Sequence, residues 1–268
     1  MSWLDALILG LVEGITEFLP ISSTGHLILT RSLLGLQGDA VTRALIVIQG
    51  AAILAVCWEY RVRLWDTALA VFTQASARRF VLNLLIAFAV FAIPALFLAK
   101  RIEEVLFSPV PVAIALVVGG VLILWVERRK HTERVTTVDE VQPSDALKVG
   151  LFQLLALFPG TSRSAATILG GMVIGMNRRT ATEFSFFIAI PTLLAATFYS
   201  LWKARHDMTT DELGPLALSC VVSFISALLS IRFLLRFVSR HSFAVFAWYR
   251  IVFGAIVLAG WAMGWVSA

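Results

Sequence analysis

Residues 12–26 of the chain read VEGITEFLPISSTGH, and residues 153–167 read QLLALFPGTSRSAAT. Each stretch places a proline and a run of small polar residues inside a long apolar segment, one in each half of the chain. Unpaired polar groups are costly in hydrocarbon, so such residues normally face a cavity and mark a functional site. If the two stretches meet, they form one polar pocket. Its candidate members are Glu13, Glu17, Ser22, Ser23, Thr24, His26, Ser162, Arg163, Ser164 and Thr167.

The composition is that of an integral membrane protein. The chain has 268 residues, of which 59% are hydrophobic and only 15% are charged, whereas a soluble domain carries about 25% charged residues. The apolar runs are long and continuous, which indicates helical spans rather than the alternating strands of a barrel. The net charge of +5 is explained by arginine and lysine in short loops between spans. The charge therefore gives no reason to expect a nucleic-acid partner.

The apolar runs predict an all-α polytopic membrane protein. Two regions, 3–36 and 148–176, are interrupted at Pro20 and Pro159, and each half is too short to cross a bilayer. We expect each of these regions to form a re-entrant helical hairpin. Six other runs are long enough to cross, at about 44–60, 80–99, 110–126, 182–202, 215–231 and 243–266. The predicted fold has six full transmembrane helices and two re-entrant hairpins, about ten helices in all.

Loop charges predict the orientation. The loops at 61–79, 127–148 and 232–240 are rich in arginine or lysine and should be cytoplasmic, whereas those at 100–109 and 203–214 should lie outside. With this orientation the first hairpin enters from outside. We therefore predict a site that opens to the outer, periplasmic face of the membrane.

The number of hairpins and spans in each half predicts an inverted-topology repeat. Each half consists of one hairpin and three spans, and three is odd, so the halves run in opposite directions. The pseudo-repeats are 1–126 and 148–268, joined by a basic cytoplasmic loop at 127–147. A weak alignment pairs Pro20 with Pro159, and Ser23 with Ser162.

Glu13 and Glu17 are four residues apart, so a helix places both carboxylates on one face. Two such groups at low dielectric share a proton, bind a divalent cation or pair with an arginine. Mg²⁺ and Ca²⁺ both prefer oxygen ligands. The alternative is that the two carboxylates lie at a solvent-exposed entrance of the protein and have no chemical role.

Arg163 and His26 are the other candidates for chemistry. Arginine at membrane depth is costly, and its planar fork suits phosphate; the alternative is a structural pair with one of the glutamates. His26 could act as a general acid or base, or as a nucleophile, or could simply be a satisfied core group. Arg250 is also in an apolar run, where it either snorkels to an interface or faces the pocket.

The two stretches closely resemble the signature regions of the bacterial undecaprenyl-diphosphate phosphatase family, the bacitracin-resistance type. The runs EFSFFIAIP and FAWYR also fit, whereas Thr161 and Ala165 depart mildly from the pattern. The resemblance implies hydrolysis of undecaprenyl diphosphate to undecaprenyl phosphate and inorganic phosphate, which recycles the carrier lipid for cell-wall synthesis and confers bacitracin resistance. It also implies the bacterial inner membrane and a divalent cation, Mg²⁺ or Ca²⁺. A homodimer is left open.

The resemblance also implies roles for particular residues. Glu13 and Glu17 match the glutamate-rich motif of the family, Ser23 and His26 match its serine and histidine, and Arg163 matches its phosphate-binding arginine. We therefore expect Glu17, Ser23, His26 and Arg163 to be catalytic, and Glu13 and Glu17 to bind the metal. Whether Ser23, His26 or an activated water is the nucleophile stays open. The remaining substrate-binding candidates are Ser22, Thr24, Gly25, Ser162, Ser164 and Thr167.

A transporter is the alternative reading. Inverted repeats with broken helices are a transporter architecture, and two carboxylates with an arginine could bind an anionic substrate and a coupling ion. A flippase for the same lipid phosphate is the most specific form of this alternative. Transport needs polar access from both faces, whereas hydrolysis needs one wet pocket and a nucleophile.

Overall fold

The computed structural model describes residues 1–129, 132–205 and 210–263. Within these residues the fold is all-α, with eleven α-helices and no strand longer than an isolated bridge. In chain order the helices are α1 (Trp3–Thr16), α2 (Ser23–Leu33), α3 (Asp39–Glu59), α4 (Arg61–Ala70), α5 (Ala75–Leu106), α6 (Pro109–Arg128), α7 (Pro143–Gln153), α8 (Arg163–Val173), α9 (Arg178–Ala204), α10 (Thr210–Val238) and α11 (Ala244–Ala262).

Six helices in the described part of the chain are long and apolar enough to cross a membrane, as predicted. They include the segments Val41–Glu59, Ala75–Ile102, Pro109–Arg128, Arg178–Lys203, Leu213–Val238 and Ala244–Ala262. The prediction succeeded because a continuous apolar run of about 20 residues has few alternatives to a span. Part of the predicted outer loop at 203–214, and the last residues of the chain, lie outside the described residues.

The two broken regions form helical hairpins, also as predicted. The first consists of α1 and α2, separated by residues 17–22, and the second consists of α7 and α8, separated by a 3₁₀ turn at Leu154–Leu157 and the loop that follows it. Each hairpin lies against the other half of the chain, because α1 packs along α10 and α7 packs along α5. The third and sixth spans, α6 and α11, also pack together. This exchange of partners is what an internal repeat produces. The limits of the pseudo-repeats at 126 and 148 stay a prediction. In the structure, the segment between the end of α6 and the start of α7 is 129–142.

Small residues allow the hairpins to approach the spans closely. A Cβ on Gly14 of α1 would lie 2.4 Å from the Ser223 carbonyl oxygen of α10, and one on Gly150 of α7 would lie 3.0 Å from the Ala87 Cα of α5. The Ser219 hydroxyl of α10 donates to the Ala6 carbonyl of α1 at 2.9 Å. Close contact of small residues and interhelical hydrogen bonds are the usual basis of helix association in membranes.

The loop predicted at 61–79 contains the short helix α4. Its exposed side chains include Val62, Trp65 and Leu69, each more than 60% exposed. They repeat every three or four residues, so they share one face of the helix. An apolar face of this kind beside arginine is typical of a helix lying at the membrane surface. The apolar runs of the sequence did not predict α4, because this helix is too short and too charged to resemble a span.

Candidate active site between the two helix breaks

The two breaks have the same unusual backbone. Ser22 and Ser162 each have φ 73°, and they are the only non-glycine residues with positive φ in the described part of the chain. Each caps the helix that follows: the Ser22 hydroxyl accepts from the Gly25 N–H and the Ser162 hydroxyl accepts from the Ala165 N–H. A strained backbone that recurs in this way is typical of functional sites. The breaks therefore present two equivalent helix N-termini, which favour anions.

This geometry corrects the predicted alignment by one residue. The capping serines show that Ser22, not Ser23, is equivalent to Ser162. The second break has one more residue between its proline and its cap, and Gly160 absorbs it at φ 90°. Ser23 and Arg163 are therefore equivalent first residues of α2 and α8.

Glu17 joins the two halves of the site. Its Oε2 accepts from the Ser23 hydroxyl at 2.5 Å, and its Oε1 accepts from Arg163 Nη2 at 3.1 Å. Both side chains of the ion pair are buried, at 6% and 9% exposure, so water screens the pair little. Three of the predicted catalytic residues thus form one hydrogen-bonded cluster, with Glu17 at its centre.

Polar groups of α8 and α9 hold Arg163 in place. Its Nη1 donates to the Ser185 carbonyl at 3.3 Å, and the Ser185 hydroxyl lies 2.6 Å from the Thr167 hydroxyl. The Ser164 hydroxyl donates to the Leu19 carbonyl at 2.9 Å and lies 3.0 Å from the Ser162 hydroxyl. Among the described contacts, Ser164 and Thr167 bond within the protein, so they orient the site. Ser185, in the EFSFFIAIP run, was missed as a site residue.

Glu13 lies one turn before Glu17, fully buried, and neither of its carboxylate oxygens has a hydrogen-bond partner among the described residues. An orphaned buried carboxylate requires a proton or a cation. No group of three His, Cys, Asp or Glu side chains that could hold a metal occurs within the described ranges. Two carboxylates are nevertheless sufficient where Mg²⁺ also binds substrate phosphates and water. Glu13 and Glu17 therefore fit that kind of site.

His26 is not hydrogen-bonded to this cluster. Its Nδ1 lies 2.7 Å from the Ser22 carbonyl oxygen, and its Nε2 lies 2.6 Å from the Tyr249 hydroxyl of α11. Its ring is stacked on Phe253 at 4.4 Å between centroids. The structure thus places the His26 side chain between the first break and α11. Of the other candidates on α2, Thr24 is partly buried, and Gly25 packs against α6, where its Cβ would lie 3.3 Å from Leu116.

Arg250 links both breaks from within the core. It is fully buried, which excludes snorkelling. Its guanidinium donates to five backbone carbonyls at 2.9–3.2 Å, those of Pro20, Ala115, Leu116, Gly160 and Thr161. No carboxylate pairs with it within the described residues. Its charge therefore adds to the positive potential of the two helix N-termini.

Comparison with known proteins shows the family of the chain. Residues 6–256 match the family model described as bacitracin resistance protein BacA. The chain is 54% identical over 264 residues to a protein named undecaprenyl-diphosphatase from Dechloromonas aromatica (strain RCB), with 98% of this chain and 96% of the relative covered. It is 58% identical to a protein of the same name from Nitrosospira multiformis, with 96% of each chain covered. A third, from Laribacter hongkongensis, is 53% identical, with 100% of this chain and 99% of the relative covered. The chain belongs to the bacitracin resistance protein BacA family.

Proposed function

We propose that this protein is an undecaprenyl-diphosphate phosphatase, a membrane hydrolase. It releases the terminal phosphate of the lipid diphosphate and leaves undecaprenyl phosphate, the carrier lipid of cell-wall synthesis. Bacitracin resistance follows from removal of the diphosphate. The relatives that carry this name match nearly the whole chain. The structural observation that carries the proposal is the Glu17–Ser23–Arg163 cluster, which joins two helix N-termini at buried depth.

The cluster suits phosphoryl transfer, in which positioning and charge stabilisation do most of the work. Arg163 binds the terminal phosphate; its Nε is buried and lacks a partner in the described part of the chain, so the guanidinium retains an unused donor. The N-termini of α2 and α8 add backbone N–H groups and positive dipole ends.

We propose Ser23 as the nucleophile, with Glu17 as its base. The 2.5 Å hydrogen bond between them is within the reach that proton transfer requires. The Ser23 oxygen attacks the terminal phosphorus, its proton passes to Glu17, and the bond from that phosphorus to the bridging oxygen breaks. Undecaprenyl phosphate leaves, and water then hydrolyses the phosphoserine to regenerate Ser23 and release inorganic phosphate. His26 is an acid or base on the α11 side of the site.

We further propose that Glu13 and Glu17 hold a divalent cation, Mg²⁺ or Ca²⁺, together with substrate oxygens. When bound, the cation would neutralise charge on the diphosphate. The orphaned carboxylate of Glu13 supports this assignment. Without a cation, that carboxylate must hold a proton.

We propose a location in the bacterial inner membrane, with the site open to the periplasmic face. The arginine-rich segment at 61–79, which contains α4, and the arginines at 232–240, in the last turns of α10 and just after it, support a cytoplasmic position for those ends of the spans. The test is labelling of a Ser23→Cys variant in right-side-out vesicles with a membrane-impermeant thiol reagent. We expect the reagent to label this cysteine from outside. Labelling only from the cytoplasmic side would contradict the orientation.

The test of the activity is phosphate release from undecaprenyl diphosphate by the purified, detergent-solubilised protein, with and without EDTA. The Glu17→Gln variant should lose release by about a hundredfold or more, since it removes the base and one charge of the cluster. The control is Glu104→Gln, an exposed glutamate in the last turns of α5. Absence of release from folded wild-type protein would reject the phosphatase, and flipping of the lipid in vesicles would then be measured.

A further inference from the structure

The environment of His26 defines the protonation of its ring. The Ser22 carbonyl oxygen, 2.7 Å from Nδ1, can only accept a hydrogen bond, so Nδ1 carries a proton. In the neutral ring Nε2 is then an acceptor, and the Tyr249 hydroxyl, 2.6 Å away, donates to it. Both nitrogens of the imidazole thus have fixed roles.

The plane of the ring is fixed as well. Phe253 lies parallel to the imidazole, with 4° between the planes, and the Tyr249 ring lies at 7°. Tyr249 and Phe253 are four residues apart on α11, so they share one face of that helix. Tyr249 is also 43% exposed on a helix apolar enough to span the membrane. Its hydroxyl therefore holds Nε2 at the lipid-facing edge of the site.

We propose that Tyr249 is the positioning residue of His26. Its hydroxyl keeps the imidazole in the Nδ1–H tautomer and in one plane, and the hydrogen bond that it donates holds Nε2, the proton acceptor of the ring, on the α11 side. Phe253 supports this arrangement by stacking on the imidazole ring. The catalytic consequence rests on the proposed phosphatase activity, whereas the effect on the ring itself does not.

The first test uses Tyr249→Phe, which keeps the aromatic ring and removes the hydroxyl. Nε2 then loses its donor and becomes free to react with diethyl pyrocarbonate, which acylates unprotonated imidazole nitrogens. We expect acylation of His26 to be about threefold faster or more, measured by peptide mass spectrometry. His241, an exposed histidine three residues after α10, is the internal reference. Tyr199→Phe, the same change at a 68% exposed tyrosine of α9, is the matched control.

The second test uses the kinetics of phosphate release. Loss of one positioning hydrogen bond should lower kcat about fivefold to tenfold, with KM within about twofold of the wild type, because Tyr249 does not hold the phosphate. Phe253→Leu keeps the hydroxyl but removes the stacked ring, and it should also speed acylation of His26. Unchanged acylation in both variants would overturn the proposal, and so would faster acylation with unchanged kcat. If the wild type released no phosphate, the acylation rates would still decide the positioning role.

Discussion

Replacing Arg250 by lysine should destabilise the protein strongly, although the charge is kept. The guanidinium satisfies five carbonyl oxygens with its five donors, whereas an ammonium group has three donors. At least two of the five hydrogen bonds made by this buried group are then lost. Each costs about 1–3 kcal/mol, so the expected loss is roughly 2–6 kcal/mol, a large part of the 5–15 kcal/mol that is usual for a folded domain.

The loss should appear in both stability and activity. The carbonyls of Pro20 and Thr161 lie in different breaks, so their release lets the two helix N-termini move apart. We expect the Tm of the detergent-solubilised protein to fall by more than about 5 °C, with phosphate release reduced at a temperature where the variant is still folded. Arg240→Lys, the same change at an exposed arginine after α10, is the control. An Arg250→Lys variant that melts within about 2 °C of the wild type and keeps its activity would refute the reasoning.

A second variant tests the same contacts from the opposite side. A Cβ on Gly119 of α6 would lie 2.0 Å from Arg250 Nη2, so Gly119→Ala must displace the guanidinium from its carbonyls. We expect a loss of stability of the same order. The double variant Gly119→Ala/Arg250→Lys should lose less than the sum of the single losses, because both act on one set of hydrogen bonds.

Three further variants test other parts of the fold and site. Gly14→Ala should lower stability by about 1–3 kcal/mol in thermal unfolding, because its Cβ would lie 2.4 Å from the Ser223 carbonyl and separate α1 from α10; a melting curve identical to the wild type would contradict this. Glu13→Gln should raise the Mg²⁺ concentration needed for half-maximal phosphate release by about tenfold or more, since one carboxylate ligand is lost; an unchanged Mg²⁺ titration would exclude Glu13 as a ligand. Asp145→Asn should let trypsin cleave after Arg134 faster, because Asp145 is 1% exposed and its ion pair with Arg134 anchors the linker before α7; equal cleavage rates would show that the backbone contacts alone hold the linker.

The sequence was sufficient for the parts of the fold that depend on length and composition. The spans and the two broken regions follow from apolar runs and from Pro20 and Pro159. The helix α4 could not be predicted in this way, because the residues of its apolar face, Val62, Trp65 and Leu69, are separated in the sequence by charged residues. The predicted alignment of the two repeats was wrong by one residue, because it was based on the prolines. The structurally equivalent positions are the strained serines that cap the two helices.

The proximity of three candidate residues was predictable from the sequence, whereas their contacts were not, and their roles stay a prediction. The sequence pointed to Glu17, Ser23 and Arg163 because polar residues are rare in such segments, and the structure brings them together. His26 follows Ser23 by three residues yet bonds to α11, and that partner is distant in the chain. Arg250 left two alternatives open, because a sequence does not show which carbonyls lack partners until the breaks are folded.

The two breaks are alike in backbone and different in chemistry, and this difference explains why they form one site. Ser22 and Ser162 give both the same strained cap and the same helix N-terminus. At the next position one helix has Ser23 and the other has Arg163, and both side chains contact Glu17. In the proposed mechanism, two serines would lack a cation for the phosphate, and two arginines would lack a nucleophile. A single carboxylate can orient both groups only because the breaks face each other, and Arg250 holds them in that position through the carbonyls of both.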